Sequence, residues 1–130
     1  MKDIPNISDS EWEVMKVIWS ANSCTANHVV ELVSKTTEWK PNTIRTLINR
    51  LLKKGAIGYE LSVSDGKTYN YYPLVSENEC IEAESNSFIK KIFNGSLNVM
   101  LSNFIEEREL SDNEIDELKQ ILEKRKGNGK

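Results

Sequence analysis

A mainly α fold with a small β-hairpin, arranged as a winged helix-turn-helix and a C-terminal helical region, is the architecture this sequence predicts. Three observations carry the prediction. Apolar residues recur at helical spacing in three short segments before Gly55, two segments rich in β-branched and aromatic residues then flank Asp65-Gly66, and the helical period resumes from Ser76 onward.

The elements follow in order. Ser8 and Glu11 form a capping box with Ile7 and Trp12 as its hydrophobic staple, which places the first helix start at Ser8. Trp12, Met15, Ile18 and Trp19 gather on its inner side, with Glu13, Lys16 and Ser20 opposite. Thr25 caps a second helix that turns Ala26, Val29, Val30 and Val33 inward and His28, Glu31 and Lys35 outward, and that ends before Trp39. Pro41 suits the first turn of a third helix, and Lys53, Lys54 and Gly55 mark its end. Its inward residues are Ile44, Leu47, Ile48 and Leu51. Ile57 to Leu61 and Thr68 to Leu74 read as the hairpin, with Tyr69, Tyr71 and Tyr72 used in its packing.

Beyond residue 75 three more amphipathic segments are expected. Ile81, Phe88, Ile89 and Ile92 mark the first; Leu97, Met100, Leu101, Phe104 and Ile105 the second; Ile115, Leu118, Ile121 and Leu122 the third, behind a capping box at Ser111 and Glu114. The predicted organisation is a winged-helix domain over 1–75, a helical region over 76–126 and a frayed tail over 127–130. About 50 residues is a small basis for a closed core. The apolar faces therefore call for a partner, and a second copy of the chain is the simplest one. Phe88, Ile89, Ile92, Leu97, Leu101, Phe104, Ile105, Leu118, Ile121 and Leu122 are the candidate dimerisation residues.

The 130 residues are 38% hydrophobic and 28% charged, as in an ordinary soluble domain. No apolar run approaches the roughly 20 residues needed to cross a bilayer, and the N-terminus lacks a basic-then-apolar signal, so a cytoplasmic protein without membrane insertion is expected. Cys24 and Cys80 read as free thiols. The net charge of -3 is uneven: residues 1–75 hold nine Lys or Arg against eight Asp or Glu, and residues 76–130 hold eight against twelve. From Lys40 to Lys54 there are five cations and no acid. Such a face attracts phosphate even on an acidic protein, because each charge acts within about 10 Å.

On a helical wheel of the third helix, Asn42, Thr43, Arg45, Thr46, Asn49, Arg50 and Lys53 fill the arc opposite the core. All are donors or cations. Solvated faces normally mix both signs of charge, so this one points to double-stranded DNA. Asn42, Thr43, Arg45 and Thr46 lie in the first turns, where a recognition helix meets base edges; Arg50, Lys53 and Lys54 suit phosphates; Lys67 at the hairpin tip suits the backbone. No metal or other cofactor is expected: Cys24 and His28 lack a second ligand pair. Nor is an enzyme, since one histidine offers no nucleophile-base pair and no Gly-rich phosphate loop exists. The competing reading is a winged-helix protein-interaction module whose basic helix meets an acidic partner.

Five blocks together resemble the penicillinase-repressor family: Ser8-x-x-Glu11-Trp12-Glu13-Val14-Met15; Thr43-Ile44-Arg45-Thr46-Leu47-Ile48-x-Arg50-Leu51 with Lys54-Gly55; Tyr69-x-Tyr71-Tyr72; Phe88-Ile89; and Asn94-Gly95-Ser96-Leu97. The resemblance implies a homodimeric bacterial repressor of β-lactamase and methicillin-resistance genes, with the winged helix on a palindromic operator half-site and the C-terminal helices joining two chains. It also implies induction by an antibiotic-sensing membrane receptor pathway, through proteolysis of an Asn-Phe bond matched here by Asn103-Phe104. The family's copper-responsive branch has a cysteine-rich C-terminal motif, and no cysteine follows Cys80. A repressor of the same fold answering to a different signal is the remaining alternative.

Overall fold

The computed structural model describes residues 3–128. Among the described residues eight elements follow one another: α1 (Asp9–Ala21), α2 (Ala26–Thr36), α3 (Pro41–Lys54), β1 (Ile57–Leu61), β2 (Tyr69–Pro73), α4 (Glu77–Ile92), α5 (Leu97–Glu107) and α6 (Asp112–Asn128). The helix starts are set by local chemistry. Ser8 Oγ accepts from Glu11 N at 3.2 Å while Glu11 Oε1 accepts from Ser8 N at 2.9 Å, a reciprocal capping box. The same exchange recurs at Ser111 and Glu114, and at Ser76 and Glu79 ahead of α4. Thr25 Oγ1 caps α2 by accepting from His28 N at 3.1 Å, and Ser96 Oγ caps α5 through Val99 N. At the end of α3, Gly55 takes the left-handed conformation (φ 79°) and its N–H reaches the Leu51 and Leu52 carbonyls.

The first core forms where the inner faces of α1, α2 and α3 meet the hairpin. Val14, Met15, Ile18, Val29, Val33, Ile44, Leu47, Ile48, Leu51 and Ile57 are all buried within it. Trp12 and Trp19, expected inside, pack at its rim with their rings edge to face at 5.5 Å. That position lets the Trp19 indole N–H donate to the Val75 carbonyl at 2.9 Å, which ties the chain after β2 back onto α1.

β1 and β2 pair antiparallel, from Ile57 opposite Pro73 to Leu61 opposite Tyr69. At the tip Asp65 Oδ1 accepts from Lys67 N at 2.8 Å and Thr68 N at 2.9 Å, and Gly66 supplies the positive φ (66°) that the turn needs. Gly58 faces Tyr72, whose phenol end packs close against it: a Cβ there would stand 2.9 Å from the Tyr72 Cζ and hydroxyl oxygen. A third segment joins the sheet. Cys24, between α1 and α2, exchanges backbone hydrogen bonds with Tyr71 at 3.0 and 2.7 Å, so the hairpin is anchored to the helix-turn-helix through its main chain.

The chain divides into two compact units, Met1–Ser85 and Asn86–Lys130. The division falls after Ser85 and not after Val75, because Val75 and Cys80 are both buried in the first core and commit the start of α4 to it. In the second unit the three phenylalanines cluster, with ring centroids of Phe88, Phe93 and Phe104 between 5.7 and 6.5 Å apart. After Cys80 no described side chain is fully buried. At the C-terminus α6 continues through Gly127 and Asn128, where a frayed tail was expected; Gly129 and Lys130 lie outside the described residues. No helix among the described residues is long and apolar enough to cross a membrane.

Candidate nucleic-acid interface

With Ile44, Leu47, Ile48 and Leu51 buried, the helical period leaves Asn42, Thr43, Arg45, Thr46, Asn49, Arg50 and Lys53 exposed along the opposite side of α3. Thr46 donates its hydroxyl hydrogen to the Asn42 carbonyl at 2.9 Å, which fixes the rotamer and leaves its oxygen lone pairs outward. Arg45 does not project unaided. Its Nη2 donates to Asn27 Oδ1, near the start of α2, at 2.7 Å.

Arg45 and Asn27 line a shallow groove of about 260 Å³ whose other walls are Thr25 and Ala26 at the start of α2, and Lys67, Thr68, Tyr69 and Tyr71 of the hairpin. The groove thus joins the two helices of the helix-turn-helix to the wing. Burial raises the Tyr71 phenol above its usual range, as does the neighbouring Tyr69, while the positive charge of Arg45 works against them. Lys67 is exposed at the wing tip. The turn that presents it is rigid: hydrogen bonds from the Thr68 hydroxyl and from the Thr68 and Lys67 amides bring the Asp65 carboxyl down to about 2, so it is fully ionised at neutral pH. Tyr59 and Tyr69, both exposed, pack on the hairpin with ring centroids 4.5 Å apart and planes tilted by 32°.

Lys54 has a different setting from the other cations. Its ammonium pairs with Glu11 Oε1 and also donates to the Asn6 carbonyl at 2.7 Å, so it ties the end of α3 to the start of α1. Glu11 is 2% exposed, a burial that the capping box alone does not require. Burial acts to raise its carboxyl pKa, but the Lys54 hydrogen bond, the Ser8 backbone donor and the Lys54 charge together outweigh it and hold the group below its ordinary value.

Of the predicted residues, Asn42, Thr43, Arg45, Thr46, Arg50 and Lys53 share one exposed face of α3, and Lys67 lines the same groove as Arg45. Lys54 is the one whose charge is already engaged. Asn27, and the pairing of the capping residue Glu11 with Lys54, went unnoticed in the sequence, because the partners lie 18 and 43 residues away and neither pair follows from helical spacing. Among the described residues no cluster of three or more His, Cys, Asp or Glu is placed to hold a metal ion.

In the second unit, Phe88, Ile92, Leu97, Phe104, Ile105, Leu118, Ile121 and Leu122 are exposed, and Ile89 and Leu101 are half-buried. Asn103 and Phe104 are both exposed on α5, with Asn103 Nδ2 donating to the Val99 carbonyl at 3.0 Å.

Comparison with known proteins bears on both units. The sequence pattern of the penicillinase repressor family matches residues 7–124. The chain is 47% identical over 130 residues to the penicillinase repressor of Bacillus licheniformis, covering 100% of this chain and 99% of that protein. It is 43% identical over 119 residues to the methicillin resistance regulatory protein MecI of Staphylococcus aureus strain N315, covering 92% of this chain and 94% of that one. Among solved structures, the monomeric form of Bacillus licheniformis BlaI in complex with the blaP half-operator aligns over 61% of this chain and 93% of its own, at 46% identity and a TM-score of 0.52. A winged helix with an acid-free polar face on α3, an exposed apolar surface on the C-terminal unit and near-complete alignment with named repressors lead to one conclusion: this chain belongs to the penicillinase repressor family.

Proposed function

We propose that the chain is a dimeric transcriptional repressor of β-lactam-resistance genes that binds a palindromic operator and is inactivated by proteolysis in its C-terminal unit. The observation that carries the DNA reading is the face of α3, exposed along its length, free of acids and bordered by a groove that Lys67 also lines. Asn42, Thr43, Arg45 and Thr46 sit where a recognition helix meets base edges, with Arg45 suited to two guanine acceptors and Asn42 to adenine. Arg50 and Lys53, further along, take phosphates, and Lys67 takes the backbone from the wing. Lys54 has a smaller share than the sequence suggested, because Glu11 neutralises it. The BlaI complex with a half-operator supports an operator of two half-sites, one for each chain of a pair.

Pairing is supported by the second unit, in which Leu97 is 50%, Phe104 47%, Ile105 49% and Ile121 63% exposed in the single chain. An apolar surface of this kind is covered in the working molecule. An antibiotic-sensing pathway would end repression by cutting Asn103-Phe104 on that surface. The experiment is quantitative binding of the full chain to a palindromic promoter duplex, to one half-site and to scrambled DNA at several salt concentrations, alongside its mass in solution. A dimer that prefers the palindrome supports the reading. Equal binding to all three duplexes, or binding only to an acidic protein, rejects it.

A further inference from the structure

We infer that Asn27, on α2, is a positioning residue for Arg45 and thereby a determinant of the base that α3 prefers. The inference rests on the proposed reading of Arg45 as a base contact. A free arginine on a helix surface moves among many rotamers, and ordering it on DNA opposes the contact it makes. Here the guanidinium is already held: Nη2 donates to Asn27 Oδ1 at 2.7 Å, between two exposed side chains 18 residues apart.

The holder is itself fixed. Asn27 lies in the first turn of α2, whose start is pinned by Thr25 Oγ1 accepting from His28 N and whose inner face is anchored by Val29 and Val33 in the core. One N–H of five is spent on Asn27, so the rest of the guanidinium fork stays available to two acceptors on one base. The place of the pair fits the role. Both residues line the groove between the helix-turn-helix and the wing, which Lys67 and Thr68 of the hairpin line as well. Asn27 therefore orients the fork before DNA arrives.

The test uses the full chain and two probes: the duplex that the wild-type protein enriches from a randomised library, and a scrambled duplex of the same composition. The readout is the ratio of the two affinities, with melting temperature as the check on folding. Arg45→Ala is expected to lower the ratio about tenfold. Asn27→Ala should lower it about fivefold with the melting temperature unchanged, and the double variant should lose no more than Arg45→Ala alone, because the two residues act as one unit. If Asn27→Ala keeps the wild-type ratio, or if the losses of the two variants multiply, Asn27 does not act through Arg45 and the inference is overturned while the DNA reading stands. If Arg45→Ala itself leaves the ratio unchanged, the base-contact reading falls and the inference falls with it.

Discussion

Arg45 and Lys53 share the exposed face of α3 about two turns apart, and the proposed DNA reading gives them different roles. A bidentate contact acts at one base pair and is worth about 1 to 3 kcal/mol of discrimination, whereas a phosphate contact is indifferent to sequence. Lys53→Ala should accordingly weaken operator and scrambled DNA alike and reduce the salt slope by about one unit, which binding at several salt concentrations measures directly. Arg45→Ala should act mainly on the operator. A second residue-scale prediction concerns Glu11. Its folded-state pKa lies below the ordinary 4.5, so the carboxylate adds stability above that value and the contribution disappears as pH falls through the folded-state pKa. Glu11→Gln should cost about 1 kcal/mol at neutral pH, since the charge on Lys54 loses its partner. The difference from wild type should vanish in acid, where both side chains are neutral. Urea unfolding at both pH values decides it; a gap that persists in acid would assign the loss to packing.

At the scale of the element, two glycines do different work. Gly55 has open space around its Cβ position but a φ of 79°, so Gly55→Ala should cost about 1 kcal/mol through backbone strain alone, read from thermal unfolding. Gly58 has an ordinary φ, and a methyl there would meet only the movable end of Tyr72, so Gly58→Ala should cost less and show itself as altered tyrosine fluorescence. The helices were legible in the sequence because their information is local: Ser8 with Glu11, Ser111 with Glu114, and the four-residue core stripe of α3 all lie within a few turns. What could not be seen depends on distance along the chain. Glu11 is buried because Lys54, 43 residues on, supplies its counter-charge. Trp19 reaches Val75 across 56 residues, and this contact, with Cys80 in the same core, moves the boundary of the first unit into α4. The exposed α3 face was visible for the opposite reason, since nothing distant is needed to leave a polar helix side in water.

For the whole molecule, the boundary has a practical consequence. A fragment ending at Ser85 keeps Cys80 and the Ser76–Glu79 capping box, and should fold as a monomer that binds DNA without the avidity of a pair, about a hundredfold more weakly than the full chain. A fragment ending at Val75 loses both features and should melt at least about 5 °C lower. Calorimetry and sedimentation of the two fragments check these outcomes. Cleavage at Asn103-Phe104 would place Phe88 and Phe93 on one piece and Phe104 on the other, dividing the ring cluster as well as the apolar surface. A Phe104 variant that still dimerises but resists the protease should keep the target gene silent when cells meet a β-lactam. Induction as in wild type would place the switch elsewhere.

The paired amides of Cys24 and Tyr71 bear on how such a protein can change over generations. Because the wing is seated through main-chain groups, its orientation does not depend on which side chains decorate its tip. Substitutions at Val63 and Lys67, whose side chains the turn does not use, can therefore drift while the angle between wing and α3 is inherited intact. Amide exchange would register this as a pair of slow protons at Cys24 and Tyr71 whose protection stays the same across wing variants, a fixed hinge plate beneath an interchangeable edge.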